Sequence, residues 1–138
     1  MLARLPAGGG GIVRVLFLGT AAATACPLVF CRCAACRSAW RTGGRDFRRR
    51  SSALIGEDLL IDLGPDLMSA VFAFGADVSR VRCVLQTHSH SDHFDAGHLI
   101  TRLEDYATRD ALPLEICASP QTLAHMSEAL ARDRKSVV

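Results

Sequence analysis

The stretch VRCVLQTHSHSDHF, residues 81–94, decides how this chain is read. Its first half, residues 81–87, is nearly continuous in apolar side chains and reads as a buried strand. Its second half places His88, His90, Asp92 and His93 within six residues. Two histidines at spacing two, on an extended segment leaving a strand, point their rings to the same side. Asp92 and His93 come where the chain is expected to turn into a helix, so they face a neighbouring point. Imidazole nitrogen with carboxylate oxygen suits Zn²⁺, and also Mn²⁺ or Fe. Two such ions roughly 3.5–4 Å apart can share a bridging hydroxide, and metal lowers the pKa of bound water to about 7. The bland alternative is a polar loop that happens to hold histidines. Three of the 5 histidines fall in this one window, however, which favours a site. His98 and His125 each sit alone on an expected helix and read as surface or packing residues.

Working outward, residues 12–19 (IVRVLFLG) read as a buried strand and residues 20–25 as a loop of small residues. Residues 52–55 and 59–63 flank Gly56-Glu57-Asp58 as a hairpin. Pro65 can open a helix over residues 66–74, and Gly75 can stop it. A helix is expected over residues 92–106, a strand over 112–117, and a last helix capped by Ser119 and opened by Pro120. A hairpin followed by strands alternating with helices indicates a layered α/β protein.

The 138 residues suggest one domain, and 49% apolar residues are enough for a core. A net charge of +2 is too small to argue for a specific nucleic-acid partner. Apolar runs fall short of the roughly 20 residues that span a bilayer. The start, with Arg4 and Gly8 to Gly11, lacks the apolar region of a signal peptide, so residues 1–11 read as a flexible lead and the expected compartment is the cytoplasm. Arg41, Arg45, Arg48, Arg49 and Arg50 form a basic cluster, either a solvated surface or an anion-facing loop. Residues 133–138 have the sequence that a common sequencing adapter gives when translated, and read as a candidate non-native tail. That leaves residues 12–132 as the domain.

Residues 26–50 lack periodicity and are expected to be a long ordered loop, which needs a functional or metal-bound reason. Within it, Cys31, Cys33 and Cys36 supply three closely spaced thiols. In a reducing compartment that density points to a structural Zn²⁺, with free buried thiols or a redox pair as alternatives. Cys26 is a candidate fourth ligand. Cys83 and Cys117 lie in expected strands and read as core residues.

The segment THSHSDHF resembles the H-x-H-x-D-H signature of the metallo-β-lactamase superfamily. The resemblance implies an αββα sandwich, of which this chain would be the N-terminal half. It also implies that His88 and His90 hold one divalent ion (Zn or Mn), that Asp92 and His93 hold a second, and that Asp92 handles a proton at the hydrolytic water. Leu60-Ile61-Asp62-Leu63-Gly64 resembles the family's strand-end motif, in which the aspartate supports the site. Glycine often stands three residues after the last motif histidine in that family; here Ala96 does, with Gly97 next. Gly19-Thr20 followed by the Cys31/Cys33/Cys36 loop is similar to the branch containing the phosphoribosyl cyclic phosphate phosphodiesterase. A branch associated with pyrroloquinoline quinone biosynthesis carries a similar loop.

The implied activity is hydrolysis of a small cyclic or nucleotide-like phosphodiester by a dinuclear metal-activated hydroxide, with a small phosphorylated substrate as partner and a homodimer as an allowed assembly. Alternatives are an accessory metal-binding protein of cofactor biosynthesis, or a hydrolase of another ester, thioester or lactam. The remaining metal ligands are expected from a second half, so the chain alone is expected to be inactive.

Overall fold

The structure, a computed structural model, describes residues 2–6, 12–103, 106 and 111–136, with the stretches 2–6 and 134–136 described by their backbone. One sheet holds six strands in sequence order. Strands β1 (Leu2–Pro6), β2 (Ile12–Gly19), β3 (Ser52–Ile55) and β4 (Leu59–Ile61) form an antiparallel meander. Strands β5 (Cys83–Leu85) and β6 (Glu115–Cys117) then add in parallel. Four helices accompany the sheet: α1 (Ala34–Thr42), α2 (Leu67–Phe74), α3 (Gly97–Ile100) and α4 (Pro120–Ser136).

Register and pleat together set the core. Leu16, Leu54, Leu60, Val84 and Ile116 stand opposite one another across β2 to β6 on one face. That row packs against Leu67 and Ala70 of α2 and Met126 of α4. Leu60 and Val84 are fully buried, and each such side chain contributes roughly 1.5–3 kcal/mol. The opposite face carries Leu59, Ile61 and Leu85, and Leu85 is 44% exposed. Cys83 and Cys117 belong to this second face, with their Sγ atoms 3.9 Å apart. The expected core placement is thus corrected for both: Cys83 is half-buried and Cys117 exposed. An α/β sheet covered by helices on one face, with apolar residues on the other, is the half-sandwich expected from the sequence.

Three expected elements change. The flexible lead is in part a strand, since Leu2–Pro6 pairs antiparallel with β2; Gly8 to Gly11 lie outside the described residues. The expected loop over 26–50 contains α1 and a 3-10 turn at Gly44–Asp46. The Cys33 side chain caps α1 by accepting from the Cys36 N–H, and Gly43 at φ 61° ends it. Sulfur in the capping role hid the helix start, because the usual cap residues are Ser, Thr, Asp and Asn. The long helix over 92–106 shrinks to α3. Its beginning is pulled away by backbone bonding to Leu63: Asp95 donates to the Leu63 carbonyl, and Phe94 bridges the same residue. Residues 104 and 105 of that expected helix lie outside the described residues. The backbone of α4 continues through Ser136, covering the first four residues of the expected tail.

At the end of β2 the chain runs so close to residues 49–50 that a Cβ on Gly19 would sit 1.8 Å from the Arg50 carbonyl oxygen. Thr20 and Ala21 both donate to the Arg49 carbonyl. The basic stretch is thereby fastened beside the C-terminal end of β2.

Candidate metal centre

Strands β2, β4 and β5 run in the same direction, so their C-terminal ends share one edge of the sheet. In open α/β sheets that edge is where ligands gather. The site begins where β4 stops. Asp62 takes a left-handed backbone conformation (φ 60°) that aspartate tolerates better than most residues. This turn buries its carboxylate, leaving the residue 2% exposed.

The Asp62 carboxylate accepts from Thr87 N (2.7 Å), from Thr87 Oγ1 (2.9 and 2.8 Å to its two oxygens) and from His93 Nδ1 (2.6 Å). A carboxylate accepts only, so Nδ1 of His93 carries its proton and Nε2 keeps a lone pair. The Thr87 hydroxyl has one hydrogen, and it goes to Asp62. Its 2.9 Å contact with His88 Nδ1 is therefore a bond donated by the imidazole, which leaves the His88 Nε2 lone pair free as well. One buried carboxylate thus sets the tautomer of two histidines, one directly and one through Thr87.

Gln86 holds the loop those histidines ride on. It is 2% exposed, and its amide nitrogen donates to the carbonyls of His88 (2.7 Å) and His93 (2.9 Å). Its amide oxygen accepts from Leu63 N. The loop also presses on Gly64, where a Cβ would lie 2.7 Å from the Asp92 carbonyl oxygen. Neither Gln86 nor Thr87 was expected in the site. The signal available was a polar residue, Gln86, directly after the apolar run Cys83-Val84-Leu85.

The donor atoms of His88, Asp92 and His93 all lie within 4.8 Å of one another. Asp92 Oδ2 is 3.2 Å from His93 Nε2. His90 stands outside this trio and is exposed, its ring at right angles to that of His88 with centroids 4.9 Å apart. Two neutral imidazoles and a carboxylate with converging lone pairs fit a divalent ion of the zinc or manganese kind. His98 donates from Nε2 to the Gly64 carbonyl at 3.0 Å, a packing role as expected. His125, exposed on α4, comes 3.1 Å from Ser89 Oγ and so touches the motif loop from outside.

The sulfur atoms of Cys31, Cys33 and Cys36 form a second group within 4.8 Å. Leu28 N points at Cys36 Sγ and Cys36 N at Cys33 Sγ, each at 3.5 Å. The Cys36 N–H, followed by the neighbouring Cys31 thiol, pulls the Cys33 thiol down to about 7. For Cys36 the Leu28 N–H works downward, but burial and the Cys31 and Cys33 thiols prevail and push it up to about 11. Cys26 is not part of the group; its backbone pairs with Arg48.

Residues 45–109 match the family described as the metallo-beta-lactamase superfamily. The chain folds as one half of the metallo-β-lactamase sandwich. A crystal structure titled as a new diphosphatase from the PhnP family superposes with a TM-score of 0.70 at 22% identity, over 96% of this chain and 48% of that one. The Zn²⁺-bound PqqB from Methylobacterium extorquens superposes with a TM-score of 0.65 at 28% identity, over 86% of this chain and 43% of that one. This metallo-β-lactamase-fold chain therefore spans about half the length of those two proteins. A Porphyromonas gingivalis protein named octanoyltransferase is 39% identical over 85 residues, which are 59% of this chain and 16% of that protein. No helix among the described residues is long and apolar enough to cross a membrane.

Proposed function

We propose that this chain is the metal-bearing half of a hydrolase that cleaves a small cyclic or nucleotide-like phosphodiester. The observation that carries this reading is the convergence of His88, Asp92 and His93, with both imidazole tautomers set for metal by Asp62. Divalent ions at this place would supply Lewis acidity and a nucleophile at neutral pH. The chain's own residues do the rest. Asp62 and Thr87 hold the protons on the Nδ1 atoms of His93 and His88. Gln86 keeps the loop in place. Asp92 takes the proton of the attacking water on its carboxylate. His90, exposed beside His88, completes the first-ion pair implied by the family signature.

The ligand count supports two divalent ions, Zn or Mn, in the full site, and a structural Zn in the cysteine loop. Catalytic zinc usually has three protein ligands, so four donors shared by two ions call for more from outside this chain. By itself the 138-residue chain is expected to hold metal weakly and to lack turnover.

Metal analysis and phosphodiester hydrolysis by the gene product containing this chain test the proposal. Near three ions per chain are expected, one lost with Cys33→Ser and at least one with His90→Ala, and hydrolysis abolished by His88→Ala. One ion or fewer, insensitive to His90→Ala, overturns it. The similarity to a Zn²⁺-bound PqqB favours a second reading, an accessory protein that binds metal and turns over no ester. Hydrolysis of carboxylic esters, thioesters or lactams in preference to phosphodiesters would move the substrate class while keeping the metal chemistry.

A further inference from the structure

Beside the same edge of the sheet, but apart from the metal-binding trio, an open groove of about 1050 Å³ runs between the end of β2, the 3-10 turn and the end of α2. Its walls include Phe17, Phe47 and Phe74, and its cations are Arg45, Arg48 and Arg49. No carboxylate lines it. Asp66 is paired with Arg50, and Asp46 accepts from the Thr42 hydroxyl. Among the described residues the side chains of Arg45 and Arg48 have no acidic partner. Arg49 is held differently: its Nε donates to Ser69 Oγ at 3.0 Å, and its guanidinium lies 5.5 Å from the centre of the Phe74 ring. That arrangement holds the guanidinium beside the groove through Nε and leaves its terminal nitrogens available to donate.

We propose that this groove binds an organic phosphate ester carrying a planar aromatic group. A guanidinium fork matches two phosphate oxygens, and Arg45 and Arg48, without an acidic partner among the described residues, add positive charge. Phe47 and Phe74 supply apolar surface for a planar group, by ring contacts of the kind that favour offset or edge geometry. Inorganic phosphate alone would use the cations and make no contact with the apolar wall. The inference goes beyond the hydrolase reading, because binding here needs neither metal nor turnover.

Calorimetric titration of the gene product containing this chain, stripped of metal with a chelator and dialysed, tests it with phenyl phosphate and with inorganic phosphate at low ionic strength. Saturable binding of phenyl phosphate is expected, tighter than that of inorganic phosphate. Arg48→Gln or Arg45→Gln should weaken it on the order of tenfold, the scale of one lost charge-assisted hydrogen bond. Both arginines are exposed, so folding is retained, as circular dichroism would verify. Phe74→Ala should narrow the preference for phenyl phosphate over inorganic phosphate. Three results overturn the proposal: no saturation, equal affinity in the arginine variants, or binding that appears only when metal is restored. Equal affinity for the two anions removes the aromatic part of the ligand. None of these outcomes depends on whether the complete protein hydrolyses a phosphodiester.

Discussion

The carboxylate of Asp62 lies 2.6 Å from Nδ1 of His93 while also accepting two bonds from Thr87. A carboxylate behind a metal-binding imidazole fixes its tautomer and raises its basicity, and loss of such a partner typically costs 10–100-fold in metal affinity. Asp62→Asn should therefore weaken Zn²⁺ or Mn²⁺ binding by about that factor. Asparagine tolerates the left-handed backbone at this position, so the fold should survive. Competition against a chromophoric chelator measures the change. Unaltered affinity would mean that the histidines are set by something other than Asp62.

Gln86 ties three backbone groups together: the Leu63 amide and the His88 and His93 carbonyls. Gln86→Met keeps the approximate volume and removes every one of these bonds. Each buried group left unsatisfied costs about 1–3 kcal/mol, and the loop can turn part of its surface to water. A loss of about 2–4 kcal/mol in urea unfolding is expected. A change below about 0.5 kcal/mol, the range of an ordinary surface substitution, would show that the loop holds its shape without the amide.

Two glycines separate steric from conformational need. At Gly19 a Cβ would meet the Arg50 carbonyl at 1.8 Å, backbone against backbone. At Gly43 nothing lies within 4 Å, but φ is +61°. Gly43→Ala should cost about 1–3 kcal/mol, the strain of putting a side chain on a positive-φ, extended-ψ backbone that is essentially reserved for glycine. Gly19→Ala should cost about 3 kcal/mol or more, since overpacking against rigid backbone exceeds the usual range. Thermal denaturation of the two variants ranks them. The reverse order would mean that the 48–50 segment moves away easily.

The metal motif was readable because its chemistry is local: four candidate donors stand within six residues, and three of them, His88, Asp92 and His93, converge while His90 stands apart. The strands of the core were legible for a similar reason, since apolar runs bounded by Gly and Pro leave few other readings. The supporting residues were not. Asp62 lies 31 positions from His93, and only the parallel pairing of β4 with β5 brings them together. Its motif context raised the idea of a supporting role without naming the partner. Gln86 was read only as part of the strand over residues 81–87, whereas its amide spans β4 and the loop. Helix α1 was missed because its cap is a thiol, and α3 was overextended because tertiary bonding to Leu63 outweighs the apolar spacing of Leu99, Ile100 and Leu103. The cysteine trio was read from spacing and is found together, while Cys26, whose backbone pairs with Arg48, stands outside it.

The cysteine loop should reveal itself by pH. The Cys33 thiol is brought to about 7, chiefly by the Cys36 N–H, while Cys36 is pushed up to about 11. Thiolate is the reactive and metal-binding form. In metal-free protein, alkylation of Cys33 by iodoacetamide should rise through a midpoint near pH 7 and then level off, whereas Cys36 should remain slow until far higher pH. Acidification below pH 7 protonates Cys33, so metal retention in the loop should weaken in the same range, with protons released on binding. Stoichiometric Zn²⁺ should protect Cys31, Cys33 and Cys36 together and leave Cys26 reactive. Peptide mapping by mass spectrometry after timed alkylation follows each cysteine separately. A Cys33 midpoint near the ordinary thiol value, or protection of Cys26 along with the other three, would remove the basis for a three-thiol zinc loop capping α1.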